Sequence, residues 1–67
     1  MKFNNLTEQQ KSVLKVIQTE PLTSFQILKR VENISMILSL YNIMDELKSK
    51  GALKSYTVEN VKYHIAS

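Results

Sequence analysis

The 67-residue chain has no cysteine, no tryptophan, one glycine, one proline and one histidine. The lack of cysteine excludes disulfides and thiolate metal sites. The lone His64 cannot assemble a metal cluster by itself. No apolar run approaches the ~20 residues of a membrane-spanning helix. Met1-Lys2-Phe3-Asn4-Asn5 lacks the apolar core of a secretory leader. A soluble cytoplasmic protein is therefore expected. There is no glycine-rich phosphate loop and no nucleophile beside an evident base. A chain of this length is also short for a buried pocket with a supporting shell. The expectation is one domain over residues 1–67, not an enzyme, with no cofactor, metal, membrane or small-molecule ligand.

Arginine is scarce too. Arg30 stands alone among the cations, the rest being lysines. Lysine suits non-specific phosphate contact, whereas bidentate reading of guanine usually uses arginine. The excess of positive charge is small: nine Lys and Arg against six Asp and Glu, a net +3. Nucleic acid is permitted as a partner but not demanded by that balance.

What is present is a clear succession of local signals. Thr7 followed by Gln10 makes a capping box for a first helix, and Glu8 lies in the turn where the helix dipole favours an anion. Val13, Leu14 and Ile17 recur at helical spacing, with Val16 at their edge. Thr19-Glu20-Pro21 ends that helix, because proline disfavours helical geometry in the residue before it. Leu22 can form a very short strand. Thr23 and Gln26 form a second capping box, and Leu22 and Ile27 have the spacing of a hydrophobic staple. The second helix is read from Thr23 to Val31, with Ile27, Leu28 and Val31 on its buried face and Phe25 partly buried beside them. Asn33-Ile34-Ser35 makes a turn. Ser35 is the expected cap of a third helix over Met36 to Lys50, with Met36, Leu40, Ile43, Met44 and Leu47 facing the core. Gly51 can close this helix in the left-handed conformation. Leu53 to Tyr56 and Val61 to Ala66 read as two strands around a Glu59-Asn60 tip. Alternation then predicts that Tyr63 and Ile65 face the helices and that His64 faces solvent.

Helix, turn, helix and hairpin in this order resemble the winged helix-turn-helix domains of small bacterial, archaeal and phage regulators. Leu22-Thr23, then Leu40, Met44 and Leu47, then Gly51-Ala52-Leu53 carry the resemblance. It spans Leu22 to Ile65, and the helix from Leu6 to Gln18 fits the first helix of such domains. The resemblance implies an α+β fold, three helices with a small antiparallel β-sheet whose C-terminal hairpin is the wing. It also implies binding of double-stranded DNA, with the third helix in the major groove. Ser39, Tyr41 and Asn42 would then meet bases, and Lys48, Lys50, Lys54 and Lys62 the backbone. A dimer or a cooperative array would be needed for useful affinity, built from the domain's own surface.

The outward face of the third helix departs from that pattern. It carries Leu38, Asn42, Asp45 and Ser49, flanked by Ile37 and Tyr41, and no basic residue occurs between Arg30 and Lys48. Asp45 would repel phosphate. Ile37, Leu38 and Tyr41 instead suggest an apolar interface for a protein partner or a homodimer, the module then acting as an adaptor or as an inhibitor of a nucleic-acid-binding partner. The same residues also have a plainer reading, as polar side chains on an exposed helix and apolar ones packed on their neighbours. Likewise lysines on a wing can simply guard a strand edge. Asp45-Glu46 is not a catalytic pair, since adjacent helix positions diverge by ~100°.

Overall fold

The structure is a computed structural model that describes residues 5–67, so the reading of the first four residues lies outside it. Three helices and a hairpin follow in order: α1 (Glu8–Ile17), α2 (Ser24–Arg30), α3 (Ile37–Ser49), β1 (Leu53–Val58) and β2 (Val61–Ala66). This is the α+β, winged-helix-like layout.

Local chemistry sets the first two helix starts. Thr7 accepts from the Gln10 amide while the Gln10 side chain accepts from the Thr7 amide at 3.0 Å. Thr23 and Gln26 repeat the arrangement at α2. Each box satisfies two backbone donors that a helix end would otherwise leave unpaired. Gln10 does more. It is buried, and its Nε2 donates to Glu46 Oε1 at 2.8 Å, tying the start of α1 to α3. Gln9 donates to the Asn33 carbonyl and so ties α1 to the turn between α2 and α3.

The third helix starts differently from the expectation. Its cap is Met36, in extended geometry and without a side-chain hydrogen bond; Ser35 does not cap it. Met36 is also 62% exposed rather than part of the core. The reason lies in the turn, where Val31 and Ile34 are both buried. Ile37 then packs partly on the core. Burying Ile34 and Ile37 fixes how the chain enters α3, and tertiary packing overrides the local serine signal. Phe25, expected to be partly buried, is 62% exposed.

The end of α3 follows the glycine. Gly51 has φ of 77°. Its amide donates to the Lys48 carbonyl, and the Ala52 amide donates to the Leu47 carbonyl. These two bonds are the Schellman pattern, and the buried pair Leu47 and Ala52 supplies its apolar contact.

The two strands pair antiparallel from Leu53↔Ala66 to Val58↔Val61, so β1 runs two residues beyond the expected Tyr56. Glu59 and Asn60, with φ of 50° and 69°, form the two-residue tip. Positive φ at both positions is the turn that matches the twist of paired strands. Leu22 adds a single bridge to His64, through Leu22 N–H to His64 O at 3.1 Å and the reciprocal bond at 2.8 Å.

That bridge fixes the phase of the hairpin, which is opposite to the expected one. His64 is 4% exposed and faces the helices with its cross-strand partner Ser55. Tyr63 and Ile65 lie on the other face, half-buried, where Tyr63 stacks on Tyr56 with ring centroids 5.8 Å apart. The core joins Val13, Leu14 and Ile17 of α1 to Leu22, Ile27, Val31 and Ile34, then to Leu40, Ile43, Met44 and Leu47 of α3, and closes with Ala52 and Leu53.

Candidate functional site

Because the core takes Leu40, Ile43, Met44 and Leu47, α3 turns Leu38, Ser39, Tyr41, Asn42, Asp45 and Ser49 to the surface. Leu38 is 66% exposed and Tyr41 42%. Ile37 is different: its partial burial removes it from the exposed apolar set. Met36 and Phe25 enlarge that set instead, and neither was singled out as a surface residue from the sequence.

The lysines separate into three environments. Lys48 lies in the last turn of α3. Lys50 caps the same helix, and its Nζ donates to the Asn5 carbonyl at 3.3 Å. Lys54 and Lys62 lie on opposite faces of the hairpin. Lys54 is paired with Ile65, whereas Lys62, paired with Thr57, shares the face that carries His64. A cleft of about 440 Å³ is lined by Ser24 of α2, by Tyr41, Met44, Asp45 and Lys48 of α3, and by Lys62 and His64 of β2. The fold therefore brings Lys48, Lys62 and Tyr41 together. It leaves Lys54 on the far side of the wing. Among the described residues, neither Lys48, Lys62 nor Asp45 takes part in an ion pair. A second cleft of similar size, between α1 and α2, contains Arg30, which already pairs with Glu20 at 2.9 Å.

At the inner wall of the first cleft the imidazole of His64 is held by two hydroxyls. Ser24 Oγ lies 3.0 Å from Nε2 and Ser55 Oγ 2.7 Å from Nδ1. Burial, and then the nearby positive charges of Lys48 and Lys62, lower its pKa below the ordinary imidazole value. The sequence reading missed this cluster. Ser24 and His64 are 40 residues apart, and strand alternation alone permits either phase. Asp45 and Glu46 do diverge: Asp45 lines the cleft while Glu46 accepts from Gln10.

No protein-family model, curated protein or solved structure matches the chain. No helix among the described residues is long and apolar enough to cross a membrane. No group of three or more His, Cys, Asp or Glu among them could hold a metal ion.

Proposed function

We propose that this chain is a DNA-binding winged-helix regulator of the cytoplasm, with α3 in the major groove and the hairpin on the backbone. One observation carries the reading: Lys62 of the wing and Lys48 of α3 line a common cleft, unpaired, beside the exposed Tyr41 and Asn42. Two cations straddling one edge of an exposed helix suit the phosphates that border a groove. Ser39 and Asn42 then offer hydrogen bonds to base edges, asparagine being suited to adenine. Lys50 lies at the same end of α3 but outside the cleft, where its Nζ donates to the Asn5 carbonyl, so it is at most a secondary backbone contact. Lys54, on the far face of the wing, contributes less.

The test is duplex binding as a function of salt. Lys48→Ala and Lys62→Ala should each weaken binding to all duplexes alike and flatten the log–log salt slope by about 0.9 per lost phosphate contact. Lys54→Ala should change the slope less. Asn42→Ala should relax preference at one base pair by ~1–3 kcal/mol. Absence of any duplex binding at low salt and micromolar protein would overturn the reading.

A second reading has its own support. Phe25, Met36, Leu38 and Tyr41 are large apolar side chains exposed on α2 and at the start of α3. Several such residues on adjoining elements favour a protein interface, for a homodimer or a different partner. Asp45 supports it too, as a carboxylate on the surface that a groove-reading helix would press against DNA.

A further inference from the structure

His64 occupies a position that strand alternation and burial would fill most cheaply with an apolar side chain. An imidazole there costs desolvation unless both ring nitrogens are satisfied. Both are, by Ser24 and Ser55. Ser55 belongs to the wing interior. Ser24 lines the cleft that also holds Lys48 and Lys62. The row Ser55–His64–Ser24 therefore runs from inside the hairpin to the wall of a cleft bearing two unpaired cations and one carboxylate, Asp45.

Which way the hydroxyl protons point depends on the ring's tautomer. With the proton on Nε2, the ring donates to Ser24 Oγ, and Ser55 donates to Nδ1. Ser24 then has its own O–H available to the cleft. With the proton on Nδ1, the ring donates to Ser55, and Ser24 must donate to Nε2. Ser24 then shows the cleft only lone pairs. An anion in the cleft selects the first arrangement.

We propose that the cleft between α3 and β2 holds a single phosphate group, contacted by Lys48, Lys62 and the Ser24 hydroxyl, with His64 as the positioning residue that turns the Ser24 proton toward it. The phosphate chemistry is common to a backbone phosphodiester and to a free phosphate ester; the duplex as its source rests on the DNA reading above. The two lysines supply charge and Ser24 supplies direction. Asp45 sits at the same cleft and is suited to a hydroxyl or amino group next to the phosphate.

The experiment follows the ring nitrogens of His64 by nitrogen-15 NMR at pH 8, where the imidazole is neutral. Short duplex DNA, inorganic phosphate and a nucleoside 5′-monophosphate are added in turn. Duplex should move the ring toward the Nε2–H tautomer. Ser24→Ala should abolish that response and weaken duplex binding roughly three- to tenfold, the range for one hydrogen bond. Its helical circular dichroism should be retained, because Thr23 and Gln26 still cap α2. Its melting temperature should fall, because Nε2 of the buried His64 loses its partner, so binding is compared well below the melting transition of either protein. Ser24→Thr, which keeps the hydroxyl, should restore both. If duplex binds but the His64 tautomer does not respond, or Ser24→Ala binds as tightly as the parent, the phosphate site is overturned while the DNA reading stands. If duplex does not bind but inorganic phosphate or the monophosphate shifts the ring in the parent and not in Ser24→Ala, the site stands with a free phosphate ester as its source, and the DNA reading falls. If no phosphate shifts the ring, the site is overturned.

Discussion

At Gly51 the backbone has φ of 77° and an added Cβ would meet nothing within 4 Å. The constraint is therefore conformational and not steric crowding by neighbours. A left-handed residue with a side chain costs roughly 1–2 kcal/mol, more with a β-branch. Gly51→Val should lower the denaturation free energy by more than ~1 kcal/mol, and an unchanged denaturant midpoint would contradict the Schellman closure of α3. This residue was legible in the sequence because a lone glycine after a helical apolar stripe has a local meaning. So were Thr7 with Gln10 and Thr23 with Gln26, whose partners are three residues apart. His64 was not, since its environment is assembled by Ser24, Asp45 and Lys48, Ser55 and Lys62 from four different elements. Its lowered pKa has a definite consequence. The unfolded chain titrates near the ordinary value of about 6.5, so below that pH the unfolded state binds more protons than the folded one. The stability from neutral His64 is fully present above about pH 6.5 and is lost as pH falls through its lower folded-state pKa. NMR titration should place the midpoint of His64 below the ordinary value; a midpoint at or above it would reverse the sign.

At the scale of elements, helices were easier to read than the hairpin. In α3 the apolar residues Leu40, Ile43, Met44 and Leu47 form one stripe, and all four are buried. Leu47→Ala should cost roughly 2–5 kcal/mol, a large share of what a small domain has. Lys29→Ala, on the exposed side of α2, should stay within about 0.5 kcal/mol of the parent. Equal shifts in the two denaturation curves would mean that the helical faces are rotated. The hairpin presents no such stripe. Tyr56, Val58, Val61, Tyr63 and Ile65 alternate on one face, but Leu53 and Ala66 occupy the other. A period of two gives no sign of which face is inward. The Leu22 bridge and the His64 clamp decide it, and both involve residues distant in sequence. The tip yields a separate check. Glu59 adopts φ of 50°, a conformation that asparagine tolerates better than glutamate. Glu59→Asn should raise stability by roughly 0.5–1 kcal/mol; a lower melting temperature would show that the turn is of another type.

Over the whole molecule, the two proposed readings compete for the exposed face of α3. Leu38 lies at the start of α3 and Lys48 in its last turn, with Tyr41 between them on the wall of the lysine cleft, so a protein docked along this face would contend with DNA for the same helix. The two readings therefore predict opposite responses to one charge. Leu38 is 66% exposed, which means that Leu38→Lys removes little core contact, and helical circular dichroism and melting should remain nearly unchanged. In a groove reader, the added cation approaches phosphate and should preserve or strengthen non-specific duplex binding, with a steeper salt slope. At an apolar interface, the same cation is buried without a partner and should cost several kcal/mol of association. Light scattering of the parent and the variant, run beside duplex titrations, separates the cases. Under the proposed function the variant keeps its grip on duplex, and any self-association of the parent is independent of Leu38. A parent dimer that dissociates on Leu38→Lys, with no gain in duplex affinity, would assign the exposed face of α3 to protein docking. The lysine cleft beside it would then be a flank of that interface and not a seat for the DNA backbone.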